Sequence, residues 1–329
     1  MKAITYNAFG SAREVLTLVD MDCPAPGPGE VTVNITMSGV NPSDVKSRAG
    51  RPGLDRPAFD QIIPHSDGAG VISAVGDGVP SSRIGERAWL WNGQWKRPYG
   101  TAAEQINLPS RQAVPLPASV SDEVGATLGI PGLTAAHAVF SGGDIKGKTV
   151  LIHGGAGTVG FLAVQMAKWG GARVITTARG AGLDRAKAAG ADVAIDYSAP
   201  DLAQQILTAN GGQPIEKIID VELGQNLDID AEVIAENGRI NAYGSAKDMT
   251  PTLPIFPLLF KAVTLEIVLV YLLTQSERDA AIAALTAALA DGALCSPVEK
   301  IFALEDAAEA HVAVEAGGRA GAILLSTSA

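Results

Sequence analysis

Two textures of apolar and polar positions divide this chain. Over roughly the first 120 residues the apolar stretches are short. EVTVNITM at 30–37 alternates with period two, and GVISAV at 70–75 and RAWLW at 87–91 are compact runs. Gly and Pro clusters such as PAPGPGE separate them, which predicts a β-rich region. At Ser121 the pattern changes to SDEVGATLGIPGLTAAHAVF, alanine-rich and helix-like, with a Ser or Asp cap. From 149 to 244 the runs TVLIHG, ARVITTA, ADVAIDY, EKIIDVE and GRINAYG alternate with segments such as FLAVQMAKWG, LDRAKAAG and DLAQQILTAN. Strands buried on both faces and joined by helix-length connectors predict an α/β fold, a doubly wound parallel sheet with βαβ crossovers. A sixth strand is expected in LEIVLVYLL, then a helix over SERDAAIAALTAALADG, a strand PVEKIF, a helix over EDAAEAHVAVEAGG and a last strand GAILLS.

Composition narrows the function classes. The 329 residues suffice for two domains with real cores. A net charge of −10, with no basic run, argues against nucleic acid or an anionic membrane as partner. Cys23 and Cys295 cannot make a disulfide framework or a multi-cysteine zinc site, and read as free thiols in a reducing, cytoplasmic setting. The N-terminus MKAITYNAFGSAREV has no continuous apolar run of the secretory kind. The most membrane-like stretch, 252–273, is interrupted by Pro254, Pro257, Lys261 and Glu266, and is expected to be buried inside a soluble fold.

Two glycine-rich motifs overlap with nucleotide chemistry. Residues 142–149, GGDIKGKT, satisfy the P-loop pattern, but a helical segment precedes them and a strand follows, the reverse of a working phosphate loop. They are expected to be a turn. Gly155-Ala156-Gly157-Thr158-Val159-Gly160 has the right context, following VLIHG with Gly154 and opening the helix FLAVQMAKWG. The first glycine permits the tight turn, the second lets backbone approach a pyrophosphate, and the third allows close helix–strand packing. The second strand of the series ends Thr176-Thr177-Ala178-Arg179, with no carboxylate before Asp184. The acid that favours NAD at this place is missing, and Arg179 is available to a 2′-phosphate. Thr177 and Arg179 are therefore cofactor candidates, and the expected cofactor is NADPH.

The residues resemble a known family. GVNPSD at 39–44, IPHSDGAGVISAVGDGV at 63–79, GTAAE at 100–104, VLIHGGAGTVGFLAVQMAK at 150–168 with Gln165 and Lys168, DVELGQNL at 220–227, NGRINAYGS at 237–245 and the tail AAEAHVAVEAGGRAGAILL are similar to the zinc-independent quinone oxidoreductases. These form the zeta-crystallin-like branch of the medium-chain dehydrogenase/reductases. The resemblance implies a GroES-like catalytic domain over 1–121 and 273–329, a Rossmann domain over 122–272, and a homodimer in which the strand in LEIVLVYLL pairs across the axis. It also implies cofactor contacts at Tyr197, Gly244 and Ser245.

Metal can be judged from ligand types. Zinc-carrying relatives hold Cys where Asn41 stands and a His-Glu pair where Ser66 and Asp67 stand. His65 is one register off, and no HExxH occurs, so no metal is expected. His153 precedes the glycine loop and is placed to pack beneath the cofactor, while His137 and His311 fall in helical stretches. Without a Lewis acid, hydride transfer suits an acceptor already electrophilic, a quinone or conjugated enone. Asn41 is a candidate amide donor or a turn residue before Pro42. Lys46, where several relatives carry tyrosine, is a candidate partner for enolate charge or an exposed lysine. Trp91, Trp95 and Tyr99 form an aromatic loop suited either to stacking on a planar acceptor or to packing the small domain. The chain thus reads as an NADPH:quinone oxidoreductase-like enzyme. An enoyl or alkenal C=C reductase and an NADPH-binding protein of little activity remain as alternatives.

Overall fold

A computed structural model describes residues 1–327 and divides them into two compact units. Unit 1 takes Met1–Ile130 together with the chain from Ser296 onward, and unit 2 is Pro131–Cys295.

Unit 1 is built on a seven-stranded sheet. Val298–Ala303, Ala322–Ser326, Glu30–Val40, Asp67–Val75, Arg87–Leu90 and Ala113–Pro115 are neighbours in that order, and Gln105–Pro109 also pairs with Glu30–Val40. The alternation noted at 30–37 places Val31, Val33 and Ile35 in a core with Ile72, Leu90, Ile106 and Leu108. Ala322–Ser326 lies antiparallel on Glu30–Val40, with Ile323 opposite Val40, so the last strand of the chain completes a sheet begun near its start. A short helix, Pro42–Ala49, follows the long strand and carries Lys46.

Unit 2 holds a fully parallel six-stranded sheet. Its strands are β1 (Thr149–His153), β2 (Arg173–Ala178), β3 (Val193–Asp196), β4 (Ile215–Asp220), β5 (Ile234–Ala242) and β6 (Thr264–Ile267). Their order is 3-2-1-4-5-6, the doubly wound order of a dinucleotide-binding fold. Leu151, Ile175, Ile218 and Ile240 fill its centre, which explains the near-continuous apolar runs. The GGDIKGKT segment is a turn between the helix Leu133–Phe140 and β1, with Gly142, Gly143 and Gly147 all at positive φ.

Three expectations differ from the structure. The chain returns to unit 1 at Ser296, not 273, because the helix Gln275–Ala290 packs on Leu133–Phe140 and buries Ala281, Leu285, Ala288 and Leu289 within unit 2. Residues 122–130 stay with unit 1, where the Ile130 amide donates to Asp67 Oδ1 at 2.8 Å. The stretch 252–273 forms the helix Ile255–Phe260 and the edge strand β6, and its apolar side chains are largely exposed. Phe256 is 71% exposed, Phe260 80% and Ile267 68%, so this run is a surface within the single chain and not a core. An edge strand has a sheet neighbour on one side only, and its outer flank has nothing in the chain to bury it.

Candidate active site

Three backbone constraints build the glycine loop. Gly154 turns at φ +73°, and the Gly155 amide donates to the Thr177 carbonyl at 3.1 Å, tying the loop to the end of β2. A Cβ on Gly155 would meet Thr176 Oγ1 at 2.0 Å, and one on Gly160 would meet the Gly154 carbonyl oxygen at 2.2 Å. These two glycines are dictated by packing. Gly157 is different: its Cβ position meets nothing closer than the Gly154 oxygen at 3.5 Å, and its φ of −77° suits any residue. No neighbour in the fold requires a glycine there, so the requirement comes from what approaches it from outside. Gly157 is also the N-cap of the helix Thr158–Trp169 and offers no side-chain cap, which leaves the first-turn amides at Thr158, Val159 and Gly160 to a phosphate. The residues fit a dinucleotide on that observation.

Around the loop the remaining candidates take distinct places. Arg179 is exposed just past β2, beside Asp196, whose carboxyl it helps hold low behind the hydrogen bonds from Ser198. Tyr197, past β3, is 47% exposed. Gly244 leaves no room for a Cβ, which would meet the Val221 carbonyl oxygen at 2.3 Å. Ser245 Oγ accepts from the Gly224 amide at 2.9 Å. Thr177 is buried and braces the loop from behind: its Oγ1 accepts from the Gly154 amide at 3.3 Å and lies 3.0 Å from His153 Nδ1. Sequence reasoning missed Arg185, whose guanidinium donates to the Ala156 carbonyl at 3.2 Å and brings a second cation to the loop. It gave no role to Asp220, although that residue opens the DVELGQNL segment, and it missed Asp230, which lies just beyond that segment.

Gln165 and Lys168, the pair that carried the resemblance, are structural. Gln165 donates to the Cys295 carbonyl and accepts from its amide, both at 2.8 Å, and Lys168 pairs with Asp192 at 2.9 Å.

In unit 1, Asn41 caps the helix Pro42–Ala49. Its amide nitrogen donates to Asp67 Oδ2 and its backbone N–H to Asp44 Oδ2, both at 2.8 Å. Burial, resisted by these hydrogen bonds, pushes Asp44 up to about 7 and lifts Asp67 well above the carboxylate range. Lys46 is exposed. Trp91 is buried in unit 1, Trp95 is half-buried under the Lys96 ammonium, and Tyr99 is 40% exposed, so Trp95 and Tyr99 are the accessible rings of that loop. His65, at φ +76°, is fully buried and shares a 2.8 Å hydrogen bond with His311. Among the described residues, one grouping of His and carboxylates is close enough to hold a metal, His137 with Glu266 and Glu277. Its Glu266 already accepts from Arg239, Asn241 and Ser141.

This fold and loop define a nucleotide-dependent dehydrogenase or reductase of the two-unit type. Residues 27–118 match the alcohol dehydrogenase GroES-like domain, and 158–287 match the zinc-binding dehydrogenase model. The chain is 28% identical over 333 residues to the quinone oxidoreductase of Rattus norvegicus, covering 99% of this chain and 97% of that protein. The quinone oxidoreductase of Pseudomonas syringae is 32% identical with a TM-score of 0.84, over 99% of both chains. The Escherichia coli quinone oxidoreductase solved with NADPH is 26% identical with a TM-score of 0.83, over 99% of this chain and all of that one. The chain belongs to the medium-chain dehydrogenase/reductase superfamily, in its quinone oxidoreductase branch, and is an oxidoreductase.

Proposed function

We propose that this protein is an NADPH-dependent, zinc-independent reductase that transfers hydride to a quinone or another conjugated carbonyl. The observation that carries the reading is the glycine loop with Gly157 open to a ligand, beside a β2 end that presents Arg179 and no acid. Bound NADPH supplies the hydride. The chain's part is to hold the pyrophosphate on the amides at 158–160, with the 2′-phosphate facing Arg179 and Arg185 near the loop. Asn41, Ser66 and Asp67 stand where zinc relatives place thiolate, imidazole and carboxylate. They offer no soft ligand, and both Asp67 oxygens are already engaged by Asn41 and Ile130. Such a donor set does not fit zinc, and a quinone, whose charge spreads into its ring on reduction, asks for orientation and exclusion of water more than for a Lewis acid.

The substrate-side candidates Asn41, Lys46, Trp95 and Tyr99 all belong to unit 1. The test mixes purified protein with NADPH or NADH and 9,10-phenanthrenequinone, an alkenal or an enoyl thioester, following the reduced-nicotinamide absorbance. Quinone turnover preferring NADPH is expected, and its absence with every acceptor overturns the proposal. Arg179→Ala should weaken NADPH binding about tenfold and leave NADH unchanged. Lys46→Ala should leave quinone reduction intact, whereas a C=C reductase would lose rate. We also assign β6 and the apolar side chains of Phe256, Phe260 and Ile267 to a homodimer interface, since that exposure suits burial against a second copy.

A further inference from the structure

Beneath the glycine loop, unit 2 buries two carboxyl groups and an imidazole, hydrogen-bonded to neighbours that include no lysine or arginine among the described residues. His153, Asp220 and Asp230 are all essentially inaccessible. His153 closes β1, Asp220 closes β4, and Asp230 lies on the helix Leu223–Val233 that follows. His153 Nε2 lies 2.9 Å from Asp230 Oδ1. Asp220 Oδ1 accepts from the Glu222 amide at 2.8 Å and from Asn226 Nδ2 at 2.9 Å. That leaves Asp220 Oδ2 and Asp230 Oδ2, each buried and, among the described residues, without a hydrogen-bond donor. Burial without a second donor disfavours the ionised form of Asp230, and His153 is the side chain that donates to it or shares its proton.

The cluster is wired to the loop. His153 Nδ1 is 3.0 Å from Thr177 Oγ1, the same oxygen that accepts from the Gly154 amide, and the Thr177 carbonyl accepts from Gly155. One hydroxyl therefore separates the imidazole from the start of the glycine loop at Gly154, three residues before the N-cap Gly157. Dinucleotide binding places negative charge there, and negative charge favours the more protonated form of any group nearby.

We propose that His153, Asp220 and Asp230 couple nucleotide binding to the uptake of a proton, with Asp230 the positioning residue that holds His153 against Thr177. The coupling deepens the NADPH reading and rests on it. Burial pushes Asp230 up to about 6 against the pull of His153. Burial opposes a charged His153, but Asp230 and Asp220 outweigh it and raise its pKa above the ordinary value. The fold thus favours the protonated form of both groups relative to the free side chains. The other titratable group against the cluster, Tyr243, is driven further up by burial and by Asp220 and stays protonated. Affinity should accordingly rise as pH falls toward about 6.

Calorimetric titration of the full chain with NADPH, at about pH 6.5 in buffers of differing ionisation enthalpy, reads the protons taken up. The 2′-phosphate of NADPH titrates in the same range, with a second pKa of about 6, so the comparison is with Asp230→Asn, which keeps that contribution. Wild type should take up roughly 0.3–1 proton more than the variant. Equal uptake in a variant of unchanged thermal stability overturns the coupling. If Asp230→Asn fails to fold, wild type titrated with NADH, which lacks the 2′-phosphate, decides: buffer-dependent heat supports the coupling and buffer-independent heat overturns it. No binding heat with either nucleotide overturns the NADPH reading itself, and the coupling with it.

Discussion

A glycine is needed in the loop for two separate reasons, and substitution should tell them apart. Gly157→Ala adds a methyl group where the fold leaves space, so unfolding temperature should hold while nucleotide affinity falls about tenfold or more. Gly160→Ala drives a methyl into the Gly154 carbonyl and should cost about 1–3 kcal/mol of stability as well. Thermal unfolding and fluorescence titration on the same samples check both. A second residue-scale expectation concerns His65 and His311. Burial, then the neighbouring His311, lowers the pKa of His65 well below normal, and burial with Arg48 lowers His311 to about 3. In the unfolded chain each imidazole titrates near 6.5, so the folded state binds fewer protons. Stability from this pair is complete above about 6.5 and is lost as pH falls below it. Asp44 and Asp67, raised in the folded state, work in the opposite sense, which makes a difference measurement necessary. Relative to His65→Gly/His311→Leu, wild type should lose about 2 kcal/mol between pH 7 and 5.5 in chemical denaturation. Residues in local motifs were legible from sequence, the glycine loop above all. His153 was noted beside the loop, but its pairing with Asp230 was not legible, because 77 positions separate them and no short pattern links them.

At the scale of elements, periodicity and runs of β-branched residues located the parallel strands, since burial on both faces writes itself into composition. The same reasoning misplaced 252–273. An apolar run reports only that water is avoided, and a core and an unpaired sheet edge avoid it alike. Gln165 illustrates a further limit. It stood out in the sequence as part of a glycine-loop helix, yet two of its hydrogen bonds hold the backbone at Cys295, where the chain leaves unit 2. Gln165→Leu strips both bonds and leaves a carbonyl and an amide without their partner. A loss of about 1–3 kcal/mol in thermal unfolding is expected, with nucleotide affinity little changed.

For the molecule as a whole, the assignment of the apolar flank to a second copy makes a solution prediction. Light scattering should give a dimer for wild type, and Phe260→Glu combined with Ile267→Lys should give a monomer that retains its secondary structure. A persistent dimer in that variant removes the surface from consideration. The unit boundaries were the least legible feature at this scale, because whether the helix Gln275–Ala290 turns back onto Leu133–Phe140 depends on complementary faces and not on composition. One consequence follows from the sheet of unit 1, which is closed by Ala322–Ser326 lying against Glu30–Val40. During synthesis the first 130 residues must wait for the final strand, with an open sheet edge at Val40, while all of Pro131–Cys295 has already emerged. Unit 2 is therefore free to mature first on the ribosome. Loss of Ala322–Ser326 exposes that waiting edge for good, so deleting this strand should send the protein into aggregates instead of merely weakening it.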